Sequence, residues 1–163
     1  MRLYHGGLEP VFKPTIIESQ RLLDFGRGFY LTSNQEQAER WSVIKQNRTG
    51  SNSIATVSVY DFDEQTLTDS KYNVKVFDNA NEKWLDFITA NRKSNTNHSN
   101  DIVKGPVAND NLYATLVLFE AGILTKSEAI VRLKTHKLFD QISFHNPQVM
   151  SELLFIESYQ TKT

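Results

Sequence analysis

Apolar and polar positions follow each other along this chain in short blocks whose period changes repeatedly between two and about 3.6 residues. "RLYHG" reads as a brief strand ended by Gly6-Gly7, and "GFYLT" as a second strand. Behind it, residues 34–46 carry a helical pattern that turns Ala38, Trp41 and Ile44 to one side, and Ser33 with Glu36 forms a capping box at its start. "SIATVSVYDF" is the strongest strand, rich in β-branched residues, and "NVKVF" is a weaker one. "NEKWLDFITANR" predicts a helix with Trp84, Leu85 and Ile88 inward, followed by the polar loop "SNTNHSN".

The second half continues in the same way. "DIVKGP" predicts a strand leaving into a turn, "NLYATLVLFEAG" a helix stopped at Gly122, and "TKSEAIVRLKTH" a helix with a second capping box. "LFDQISF" predicts a strand, "NPQVMSE" a short helix with proline in its first turn, and "LLFIESY" a last strand. Strands at both ends with helices inserted between them give an α+β class, not a doubly wound sheet. No repeat or linker interrupts the pattern, so residues 1–163 are expected to form one domain.

Composition narrows the chemistry. Eighteen basic and 19 acidic residues leave a net charge of -1, which provides no global field for nucleic acid or an anionic membrane. There is no cysteine, and His5, His98, His136 and His145 lack zinc-ligand spacing, so no metal is expected. "MRLYHGGLEP" has no apolar signal core and no apolar run approaches the roughly 18 residues of a bilayer span, which predicts a cytoplasmic protein without membrane partners. Asp24-Phe25-Gly26 matches the kinase metal-binding tripeptide, but no phosphate loop precedes it. Gly26-Arg27-Gly28 is followed by a strand and not a helix, which rejects a dinucleotide-binding loop of the Rossmann type.

Three separated strand residues remain: His5 in "LYHGG", Tyr30 in "FGRGFYLTSNQEQAERWS", and Gln141 in "DQISF". Each also has a plain reading: a structural histidine beside a turn, a strand tyrosine, and a polar stripe on a sheet face. In this order they resemble the ADP-ribosyltransferase superfamily, in the branch marked by a strand histidine, a strand tyrosine and a late glutamate or glutamine. Gly-basic-Gly-aromatic-Tyr is the most specific part. The whole length is similar to the bacterial DUF3990 group, on "DFGRGFYLT", "DIVKGPVANDN" and "QISF".

The resemblance implies an ADP-ribosyltransferase fold, with split mixed or antiparallel sheets around an NAD-binding cleft and flanking helices. It implies NAD as substrate and mono-ADP-ribosyl transfer to an intracellular protein or nucleic acid, in a toxin restrained by a cognate antitoxin or acting in defence. The alternatives are an NAD glycohydrolase and an inactive NAD or ADP-ribose binding module. Catalysis would fall to Gln141, Tyr30 and His5, with His5 on the adenosine-side ribose, Gly6 offering backbone groups to the nicotinamide amide, and Tyr30 stacking on the nicotinamide ring. Gly28 would allow close backbone approach, Arg27 would reach a phosphate, and Asn109 and Asp110 would either contact NAD or cap a helix.

Gln141 departs from the glutamate usual in the superfamily. A neutral amide supplies only its dipole where a carboxylate supplies a full charge, which disfavours chain growth and suits single transfer. Asp24, Asp110 and Glu157 are the candidates for the missing charge.

Overall fold

The computed structural model describes residues 1–16, 23–50, 52–93, 98–107, 110–134 and 139–161. Among the described residues there are seven strands, β1 (Arg2–Gly7), β2 (Phe29–Leu31), β3 (Thr56–Asp61), β4 (Val74–Val76), β5 (Ile102–Pro106), β6 (Asp140–Phe144) and β7 (Leu154–Gln160), and five helices, α1 (Gln35–Thr49), α2 (Glu82–Lys93), α3 (Asp110–Glu120), α4 (Lys126–Lys134) and α5 (Pro147–Met150). A 3-10 turn at Glu64–Thr68, capped by Asp63, has no counterpart in the hydrophobic pattern.

The chain is α+β with two sheets. One is antiparallel, in the order β1-β3-β7, and the other is mixed, in the order β2-β6-β5-β4 with β4 parallel to β5. Strand alternation sorts the side chains into layers. Leu3, Tyr60, Phe29, Leu31, Ile142, Phe144 and Ile102 meet between the sheets and form the central core. On the far side of the mixed sheet, Val103 packs with Trp84, Leu85 and Ile88 of α2, Leu116 of α3, and Ala129 and Leu133 of α4. The inward face expected for α2 is the observed one.

For α1 the expected inward face is corrected. Ala38 is buried as expected and is joined by Ser42, whereas Trp41 is 43% exposed with the Arg48 guanidinium 5.7 Å above its ring. The cause is the close approach of helix and strand: a Cβ on Gly6 would lie 2.2 Å from the Ala38 carbonyl oxygen and 3.0 Å from the Ser42 nitrogen. At that separation small residues fit and an indole does not.

The N-cap is corrected too. Asn34, not Ser33, accepts from the Gln37 N–H at 2.8 Å, because the Ser33 hydroxyl is engaged by Asp140 Oδ1 at 2.6 Å. The second capping box forms as expected, with the Thr125 N–H donating to Glu128 Oε2 at 2.8 Å and the Glu128 N–H to Thr125 Oγ1 at 3.3 Å. Gly122, at φ 72°, ends the turn after α3 in the left-handed region.

Candidate functional site

The two sheets touch where β1 meets the end of β2. Tyr4 and Thr32 exchange two backbone bonds, N···O 2.9 and 3.0 Å. Alternation then directs the N–H and C=O of Gly6, two residues on, to the same edge of β1. There the Gly6 carbonyl accepts from Lys45 Nζ of α1 at 2.7 Å. Burial lowers the pKa of this lysine. Sequence reading passed over it.

His5 points between the sheets. Its ring stacks on Phe29 at 4.4 Å and 23°, and Nδ1 lies 2.8 Å from the Tyr30 carbonyl oxygen. A carbonyl can only accept, so Nδ1 carries the proton and Nε2 presents a lone pair. Burial, and then the Lys45 ammonium, lower the pKa to about 4 against the pull of that carbonyl. His5 is therefore a neutral acceptor at pH 7.

Tyr30 anchors the turn that precedes its own strand. Its hydroxyl donates to the Gly26 carbonyl at 2.6 Å and accepts from the Phe25 N–H at 3.1 Å. The ring lies near-parallel to Phe25, 6.4 Å away, and burial followed by Asp24 pushes the phenol far above its usual range. The neighbouring carbonyls are held by histidines: His98 Nε2 is 2.7 Å from Phe25 O, and His145 Nδ1 is 2.5 Å from Arg27 O. Three consecutive carbonyls, 25 to 27, thus each receive a bond from a ring. The two imidazoles stand edge to face at 4.5 Å. Gly26, at φ 79°, supplies the bend, and Arg27 is exposed at the tip. Asp24 pairs with Arg92 at 3.2 Å, and Arg92 also holds Glu120 at 3.0 Å, so this carboxylate is already matched to a cation.

Gln141 sits on β6 opposite Gly105 and two residues before Ser143, which faces Tyr30 across the β2–β6 pair. Tyr30 and Gln141 therefore share the outer, helix-covered face of the mixed sheet, while the His5 ring lies on the inner side of β2. Gln141 is 8% exposed, and its Nε2 has no hydrogen-bond partner among the described residues. Its neighbour Asp140 is satisfied by Ser33 Oγ and the Ser33 N–H, at 2.6 and 3.3 Å.

Of the other named residues, Asn109 lies outside the described residues, and Asp110 opens α3 with a side chain also outside them. Glu157 is exposed on β7, in the other sheet. Two open surface grooves, one along α1 and β7 and one along β4 and α2, are lined by none of His5, Tyr30 or Gln141. Among the described residues no cluster of His, Asp or Glu could hold a metal ion, and no helix is long and apolar enough to cross a membrane.

The model of the family described as "Protein of unknown function (DUF3990)" matches residues 1–155, and the chain belongs to that family. No curated protein and no solved structure matches it.

Proposed function

We propose that this member of the DUF3990 family is a mono-ADP-ribosyltransferase, which breaks the nicotinamide glycosidic bond of NAD and passes ADP-ribose to an intracellular protein or nucleic acid. The observation that carries this reading is the buried, unpartnered Nε2 of Gln141 on the face that Tyr30 occupies. Leaving a buried N–H unmade costs about 1–3 kcal/mol, so a retained one favours a ligand acceptor. The ribose 2′-hydroxyl oxygen is such an acceptor.

In the reaction the bond between ribose C1′ and the nicotinamide nitrogen breaks, and its electron pair leaves with nicotinamide, now uncharged. C1′ becomes oxocarbenium-like, and the acceptor's nucleophile attacks it and gives up its proton. Tyr30 would supply a ring held by its own hydroxyl, a preorganised platform for nicotinamide. His5 Nε2, neutral and accepting, would accept a hydrogen bond from a hydroxyl of the adenosine-side ribose. Gly6 would turn its edge-facing amide groups to the nicotinamide carboxamide. The amide of Gln141 would hold the 2′-hydroxyl as charge develops.

A second reading, an NAD or ADP-ribose binding module without catalysis, is favoured by the Gly6 carbonyl, which Lys45 already occupies. Nicotinamide release decides between them, since a binding module releases none. Adenylate-labelled NAD incubated with cell extract then separates transfer from glycohydrolysis, and protease or nuclease digestion identifies the acceptor class. A toxin role in a toxin–antitoxin or defence system predicts growth arrest on expression, relieved by the neighbouring antitoxin.

A further inference from the structure

Lys45 is a half-buried cation with unused capacity. Ala38, Ser42 and Lys45 follow one another along the face of α1 that lies on β1, and the lysine ammonium reaches the edge of β1 at Gly6. There the ammonium meets one backbone carbonyl, and no carboxylate among the described residues pairs with it. An ammonium has three donors, so two remain. Its charge also reaches His5, the next residue along β1, where it opposes protonation.

Around these two groups the end of β1 carries no side chain, because residues 6 and 7 are buried glycines, and His5 itself keeps partial exposure. A Cβ added at Gly7 would lie 3.5 Å from both Cδ2 and Nε2 of His5, so the accepting edge of the imidazole borders the Gly7 backbone and no side chain at that position. A lone-pair acceptor and a compact cation therefore stand at one strand end. A hydroxyl suits the first and an anion the second. A phosphorylated ribose carries both within a few bonds.

We propose that Lys45 Nζ and His5 Nε2 form a subsite for a ribose phosphate, with Lys45 donating to a phosphate oxygen and His5 accepting from a ribose hydroxyl. The proposal rests on the NAD reading for the identity of the ribose and adds the phosphate contact. Once the ligand's own donors take the Gly6 carbonyl, the ammonium is released to the anion. The phosphate can be the 5′-linked diphosphate of a dinucleotide or an additional 2′-phosphate, and the same cation would serve either.

Calorimetric titration of the whole chain with adenosine, 5′-ADP and 2′-AMP tests this, using wild type, Lys45→Met and Lys45→Arg. A charge-assisted contact predicts that Lys45→Met weakens one phosphorylated probe by at least about tenfold and leaves adenosine unchanged, with Lys45→Arg restoring part of the loss. Loss confined to 5′-ADP identifies the diphosphate, and loss confined to 2′-AMP the extra phosphate. Wild-type affinity of Lys45→Met for both nucleotides overturns the subsite, as does an equal loss for adenosine, or no binding of either nucleotide by wild type. Melting temperatures of the variants show whether each is folded. Nicotinamide release with Lys45-independent binding removes the subsite and keeps the transferase reading, whereas Lys45-dependent binding without release does the reverse.

Discussion

A Cβ on Gly28 would stand 2.9 Å from His145 Nδ1, the atom that holds the Arg27 carbonyl, and 2.8 Å from the carbonyl oxygen of Phe144. The turn before Tyr30 is thus pressed against the end of β6 with no room for a side chain at this position. Gly28→Ala must displace backbone on one side or the other. It is expected to cost about 1–3 kcal/mol in urea unfolding and to lower nicotinamide release by moving Tyr30. Wild-type stability in Gly28→Ala would show that the turn yields freely.

Tyr30 separates ring from hydroxyl. Tyr30→Phe keeps the ring but leaves the Phe25 N–H and the Gly26 carbonyl without their bonds. A loss of about 1–3 kcal/mol in stability is expected, with a substantial part of the transfer retained below the lowered melting temperature. Tyr30→Ala removes the platform and should abolish transfer. Full transfer by a folded Tyr30→Ala would exclude the ring from nicotinamide binding.

Stability should fall in mild acid. His5 and His145 are both lowered to about 4 from the usual 6.5 of an imidazole, chiefly by burial. The His98 ring adds to the effect at His145, while Asp101 and the Arg27 carbonyl oppose it. Because the folded pKa lies below the unfolded one, the unfolded chain binds protons that the folded chain refuses between about pH 6.5 and pH 4. Stability is therefore full above that window and drops as pH falls through it, by at most about 1.4 kcal/mol per pH unit for each histidine. Urea unfolding at several pH values, for wild type and His145→Gln, measures the slope; removal of His145 should shallow it. An unchanged slope would mean that His145 binds its proton equally well in the folded and the unfolded chain.

The elements were legible in the sequence because each carries its own apolar period, and each strand and helix expected from it is found. What the period could not give was proximity. Trp41 dominates any hydrophobic reading of α1, yet the helix lies so near Gly6 that the inward positions belong to Ala38 and Ser42. The site residues His5, Tyr30 and Gln141 were singled out by resemblance, and strand alternation places Gln141 and Ser143 on one face. The residues that brace the turn were missed because their bonds are long-range: His145 and Arg27 are 118 positions apart. One signal was present, since alternation beyond Ser143 brings His145 to the Gln141 face. Lys45 gave none, as a lysine nearly three turns into a helix reads as solvated until its carbonyl partner is seen.

Gln141 offers the sharpest test, because function and stability should part there. Gln141→Leu removes a buried amide whose nitrogen has no partner among the described residues, so stability should stay level or rise by about 1 kcal/mol. Nicotinamide release should nevertheless drop about 100-fold or more, as for loss of a donor aimed at developing charge, with the Michaelis constant for NAD changed much less. A structural glutamine would behave in the opposite way, losing stability and keeping whatever activity the chain has. Gln141→Glu extends the argument through pH. A carboxyl at so buried a position is pushed above its usual range by desolvation, so release by this variant should climb with pH as the carboxylate forms beside the oxocarbenium ion. Asp140→Asn is the control, since its Oδ1 can still accept from the Ser33 hydroxyl and N–H, and cleavage should stay near wild type. Should Asp140→Asn abolish cleavage while Gln141→Leu leaves it intact, the chemistry belongs to the acidic neighbour and the unpartnered amide is not its donor.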